Sequence, residues 1–234
     1  MKAIYKRELG AYFRSPTGYV FCAIYLFFSG MYFNAVLSTG QSSEFPQIYY
    51  GMLSFILLML PLLTMRLFSE ERKYKTDQVL LTAPVNLTPL VLGKFFSALT
   101  VYFGCTLFTL IYAAVFSFFV SPSWPLVIGN IFGATLFGAA FIAVGMFISS
   151  MTESQFVAAM GSFSIATVFV ILDVIPLRTS NELVIKLVNE ISFVGRYTPF
   201  KNGILDMSSV VFFLSITAAF IFLTVRVLEK RRWS

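Results

Sequence analysis

Six long apolar segments constrain this chain more than anything else in it: residues 19–37, 48–67, 90–120, 126–148, 156–177 and 210–228. Each is close to or beyond the roughly 20 residues that a helix needs to cross a bilayer's hydrocarbon. In lipid every backbone N–H and C=O must be satisfied internally, and a helix does so within its own segment. The expected fold is therefore an all-α polytopic membrane protein with six transmembrane helices, forming one domain over residues 1–234. Composition agrees. The chain is 58% hydrophobic and 12% charged, against about 45–50% and about 25% in soluble domains. The third segment, about 46 Å long if fully helical, can tilt or project into water.

The cations orient the bundle. Lys2, Lys6, Arg7 and Arg14 precede the first span, and Arg66, Arg72, Lys73, Lys75 and Lys94 flank the loop between spans two and three. Arg226, Lys230, Arg231 and Arg232 close the chain, while the loops after spans one and three hold no Lys or Arg. The positive-inside rule then places both termini and the 67–84 loop in the cytoplasm. Parity puts the loop around Glu153 inside as well, and residues 178–207 outside. The net charge of +6 is explained by this distribution, so no nucleic-acid partner is expected.

Two non-spanning helices are expected. Ile4, Tyr5, Leu9, Tyr12 and Phe13 recur at near-helical spacing opposite Lys2, Lys6, Arg7 and Arg14. That pattern reads as an interfacial helix over residues 1–16, ending before Pro16. Outside, Leu183, Val184, Leu187, Val188 and Ile191 form an apolar stripe against Glu182, Lys186 and Glu190. Its expected place is on the membrane surface or folded over the spans.

The densest charge is in "LFSEERKYKTDQVLLTAP", residues 67–84. Ser69 is placed to cap a short helix, with Glu70 and Glu71 in the first turn, where the helix dipole favours acids. Thr76 is a second candidate N-cap, backed by Asp77, and Pro84 ends an element that presents Val79, Leu80 and Leu81. Orientation alone accounts for Arg72, Lys73 and Lys75. It does not account for the acids or for an apolar triplet facing water. An apolar tip rimmed by charge points to a protein partner.

Several functions are excluded or weakened. No secretory signal is evident, because the first residues carry too much charge for an apolar signal core. The chain has two cysteines, both in apolar segments, and no histidine, so neither a disulfide framework nor a metal site is expected. The only Gly-Lys pair, Gly93-Lys94, has Thr88 where a P-loop needs its first glycine and Phe95 where it needs Ser or Thr. The chain is not expected to bind ATP or to act as an enzyme by itself. Asp173, near the outer end of span five, is a candidate pathway residue. Three residues before Pro176, it can equally reach headgroups or pair with Arg178. Gly129 and Gly133 form a GxxxG pair that suits close helix packing. A channel, a scaffold or a lipid scramblase would use such residues equally well.

The run "FSEERKYKTDQVLLTAPVNL" resembles the segment after the second span of ABC-2 type transporter permeases. In those proteins two glutamates and a basic residue precede Gly-Thr-x-Glu-x-Leu-Leu-x-x-Pro. Glu70, Glu71, Arg72, Thr76, Leu80, Leu81 and Pro84 match, whereas Lys75 stands where glycine is usual and Gln78 where glutamate is usual. "IYKRELGAYFRSPTGYV" is similar to the family's N-terminal interfacial helix, "SSMTESQFVAA" to its second cytoplasmic turn and "LTVRVLEKRRW" to its C-terminal end. Together they look closest to the gliding-motility-associated permease branch.

The resemblance implies a permease subunit of an ATP-binding-cassette exporter in a bacterial cytoplasmic (inner) membrane. Residues 69–84 would form a coupling helix that docks on a separate ATPase subunit, which binds the ATP and Mg. Glu70, Glu71, Arg72, Thr76, Asp77, Leu80, Leu81 and Pro84 are the coupling residues implied, with Thr152, Glu153 and Gln155 as a second cytoplasmic contact. Six spans are too few to enclose the usual pathway, so a second permease subunit, identical or related, is implied. An extracytoplasmic auxiliary protein is a further candidate partner. Charge reversal at Glu70 and Glu71 is expected to impair coupling while leaving insertion intact.

Overall fold

The structure, a computed structural model, describes residues 1–41, 44–76, 86–120, 123–174, 188 and 190–232. Among these residues it forms nine helices: α1 Lys2–Arg14, α2 Pro16–Thr39, α3 Gln47–Thr64, α4 Ser69–Lys73, α5 Leu87–Phe116, α6 Trp124–Met151, α7 Gln155–Val174, α8 Phe193–Lys201 and α9 Met207–Arg232. Six stretches are long and apolar enough to cross a membrane: α2, α3 continued through α4, α5, α6, α7 and α9. The chain is a multi-pass α-helical membrane protein. Six crossings bring both ends of the chain to one face, called here the terminal face, which also carries α4 and the α6–α7 turn.

Local chemistry sets the helix limits. Pro16 opens α2 at a first-turn position where no N–H is needed, and Gly40 closes it in the left-handed region at φ 64°. Asp206 starts α9 by accepting from the Ser208 and Ser209 N–H groups at 3.2 and 2.9 Å. The Ser209 hydroxyl and N–H hold this carboxyl below its ordinary pKa. The third span is shorter at the end away from the terminal face than its hydropathy implies: α5 stops at Phe116, and residues 117–119 continue only as turn.

α6 is the centre of the bundle, packing against α3, α5, α7, α8 and α9. Close approach is possible where it lacks side chains. A Cβ on Gly138 would run into the Tyr102 ring of α5, and one on Gly133 would lie 2.7 Å from Phe200 of α8. Gly129, the other half of the GxxxG pair, has nothing within 4 Å. α8 is an element that sequence reasoning did not anticipate. It turns Phe193, Tyr197 and Phe200 inward, and the Tyr197 hydroxyl donates to Asn130 Oδ1 at 2.9 Å. The expected outer stripe falls almost wholly outside the described residues.

Candidate functional site

The terminal face is built around one buried cation. Lys94, about two turns into α5, is 1% exposed. Its Nζ lies 3.2 Å from Glu8 Oε1 of α1 and 3.1 Å from Glu71 Oε2 of α4. Arg7 Nη2 closes the group from outside, at 2.6 Å from both Glu8 Oε1 and Glu71 Oε1. Two cations and two carboxylates cancel. Balance matters, because burying one ion costs several kcal/mol, about, before partners compensate. Burial opposes the charge on Arg7, yet hydrogen bonds and attraction from Glu8 and Glu71 raise its pKa further above the usual value.

Glu70 is held as firmly. Arg66 Nε and Nη2 grip its carboxylate at 2.7 and 3.0 Å, a two-pronged pair. Arg66 Nη1 also donates to Thr17 Oγ1 of α2 at 3.0 Å. The glutamate pair is thus turned onto cations of its own chain rather than outward as a rim. Charge reversal at Glu71 would set a third cation against Lys94 and Arg7 and so disturb the packing of this face itself.

The capping of α4 also differs from the sequence expectation. Ser69 is the first helical residue rather than the cap, and its hydroxyl donates back to the Met65 carbonyl. The buried N–H groups of Phe68 and Ser69 instead donate to Ser149 Oγ of α6, at 3.1 and 3.2 Å. At the other end Thr76 is a terminator. Its N–H reaches the Glu71 carbonyl at 2.9 Å, the Lys75 N–H reaches Arg72 O at 3.1 Å, and Lys75 is left-handed at φ 55°. This 6→1 and 5→2 pair is the Schellman arrangement, which favours glycine at the position Lys75 occupies. The Thr76 hydroxyl is spent on Glu71 O as well, at 3.2 Å. Asp77, Leu80, Leu81 and Pro84 lie outside the described residues.

The structure unites two contacts that are 80 residues apart in sequence. Arg72 Nε lies 3.2 Å from Glu153 Oε1, and Arg72 Nη1 donates to the Met151 carbonyl. Thr152 Oγ1 accepts from Ser154 N at 3.2 Å, shaping the turn, and Gln155 opens α7. Between them runs a groove of about 390 Å³ lined by Lys73, Glu153, Ser154, Gln155 and Phe156. Phe156 in its lining is 72% exposed, and Tyr74, whose ring lies 5.8 Å from Lys73 Nζ, is 66% exposed. From the C-terminus, Arg231 Nη2 donates to Ser150 O at 2.6 Å.

Asp173 stands apart, at the opposite end of the bundle. Its Oδ1 accepts from Ser192 Oγ, and Ser192 also caps α8 by accepting from the Gly195 N–H at 2.7 Å. Arg178 lies outside the described residues. Asp173 Oδ2 is buried without a partner among the described residues.

Sequence reasoning missed Arg7, Glu8, Lys94 and Ser149 as members of this site. Two signals were present: Lys94 is a charge within an apolar run, and Glu8 is the one acid in a basic helix. The sequence pattern of the family described as ABC-2 family transporter protein matches residues 2–233. No curated protein matches the chain in sequence.

Proposed function

The chain belongs to the ABC-2 transporter family, whose members are membrane components of transport, and from that premise we propose that it is the permease subunit of an ATP-driven exporter in a bacterial inner membrane. The terminal face is cytoplasmic in this reading, and the chain works with a second permease subunit and two ATPase subunits that bind ATP and Mg. The sequence resemblance to the gliding-motility-associated permeases supports assigning it to that branch of the family.

The observation that carries the reading is the Arg72–Glu153 pair. It makes one surface from the coupling element and the α6–α7 turn, with Phe156 exposed on it and Tyr74 exposed next to Lys73. A channel or scaffold has no need for an apolar, charge-rimmed patch there. Leu80 and Leu81, which follow α4 in the sequence, are in this reading the part inserted into the ATPase. Glu70 and Glu71 hold the element rigid from behind, so that a push on the patch moves α1, α3 and α5 together.

The test is purification in mild detergent, identification of co-purifying subunits and an ATPase assay. Leu80→Asp with Leu81→Asp should release a P-loop subunit and abolish transport-linked ATPase activity while the permease stays folded. Recovery of the wild-type chain alone, without ATPase activity, would sink the proposal in favour of a channel, scaffold or scramblase.

A further inference from the structure

We propose that the groove between α1, α2 and α5 is a binding site for one anionic phospholipid, with an acyl chain in the groove and the headgroup on Lys2 and Lys6. The groove has a volume of about 360 Å³ and is almost wholly apolar, with Leu9 and Phe13 of α1 along one side and Cys22, Leu26, Gly104 and Phe108 of the spans along the others. At Gly104 an added Cβ would meet nothing within 4 Å, so the floor is open.

Shape alone does not select an occupant. A tail leaving the bilayer for this groove exchanges one hydrocarbon surface for another, and the hydrophobic effect contributes little. Charge supplies the selection. α1 is helical throughout, so Lys2, Lys6, Leu9 and Phe13, at spacings of four, three and four, share one face, and these two lysines do not lie opposite Leu9 and Phe13 as the sequence pattern suggested. Both lysines are exposed, and neither is in an ion pair among the described residues. Glu8, the one acid of α1, is turned away onto Lys94. Two exposed cations on the helix face whose Leu9 and Phe13 line the apolar slot complement a phosphodiester that bears net negative charge, and a zwitterionic headgroup less well. Each such cation is worth roughly a 5-fold preference for an anionic lipid, and the two together roughly 25-fold.

The inference is independent of ATPase coupling. Its test is native mass spectrometry of the full chain, delipidated in mild detergent and then offered phosphatidylglycerol or phosphatidylcholine with the same acyl chains. The wild type should retain one phosphatidylglycerol per chain with at least roughly 10-fold preference. Lys2→Gln with Lys6→Gln, both at exposed positions that leave folding intact, should bring the two lipids to parity. Gly104→Leu, which fills the slot, should abolish retention of either. Equal retention of both lipids by the wild type would mark ordinary annular lipid and overturn the proposal. So would undiminished phosphatidylglycerol on Gly104→Leu, or a second copy of the chain found seated in the groove.

Discussion

Lys94 sits where almost no water reaches it, and its ammonium is compensated there by the carboxylates of Glu8 and Glu71. Lys94→Met removes the cation and leaves two facing carboxylates with only Arg7 between them. Breaking a buried pair from one side costs about 3–5 kcal/mol, whereas neutralising all its members is often nearly neutral. The expectation is a loss of that size for Lys94→Met, read from unfolding in mixed micelles, and recovery of most of it when Glu8→Gln and Glu71→Gln are added. A single variant as stable as wild type would show that the quartet is incidental. Lys75 offers a second test. A left-handed non-glycine residue is disfavoured by about 1 kcal/mol, so Lys75→Gly should slow hydrogen exchange at the Thr76 amide about 5-fold, and Lys75→Val should speed it. Here the sequence was informative in a way that only geometry could interpret. Glycine is usual at that place in the resembling permeases, and Lys75 takes the glycine conformation at a cost. Glu8 and Lys94 were visible as oddly placed charges, but 86 residues separate them, and no local rule pairs residues so distant.

Among the elements, α4 is too short to stand alone. A five-residue helix has almost no cooperative stability in water, and it persists because α6 caps its N-terminus through Ser149 while Arg72 pins its C-terminal half to the α6–α7 turn. Ser149→Ala leaves two buried N–H groups without a side-chain acceptor and should cost about 1–2 kcal/mol. Faster tryptic cleavage after Arg72 and Lys73 would report the loss directly. Unchanged cleavage would mean that α4 is held by the charges alone. The six spans were legible because lipid imposes a length and composition that no short-range preference can override. α8 was not. It has nine residues, contains Pro199 and Lys201, and owes its form to three aromatic rings driven into the bundle and to the Ser192 cap. The interfacial helix was legible as amphipathic, but not as docked. Tyr12 is buried with its hydroxyl on Leu63 O at 2.8 Å, and Tyr5 reaches Thr100 Oγ1 at 3.0 Å.

On the scale of the whole molecule, a displacement of α4 has a defined route. It meets α6 at Ser149, and α6 meets α3, α5, α7, α8 and α9, so under the proposed function the central helix would carry a push at the terminal face to α8 at the opposite end of the bundle. Transmission of this kind needs packing without slack, since a loose core absorbs motion that a close-packed one passes on. The contact of Tyr102 with Gly138 is where that requirement is sharpest: the ring occupies the space of a Cβ, and its hydroxyl donates to the Ala134 carbonyl at 2.9 Å one turn away. Gly138→Ala must move a fully buried ring and strain or break that bond. Overpacking of this sort costs about 1–3 kcal/mol. Gly129→Ala, in the same helix and with the same gain in helix propensity, adds its methyl to open space and should be neutral or slightly stabilising. The pair separates packing from propensity. Unfolding midpoints in mixed micelles should fall for Gly138→Ala alone, and in the assembled transporter the same variant should hydrolyse ATP with less transport per turnover. If both variants kept wild-type stability and coupling, α6 would be a passive spacer, and motion would have to pass through α1 and α5 by way of Lys94.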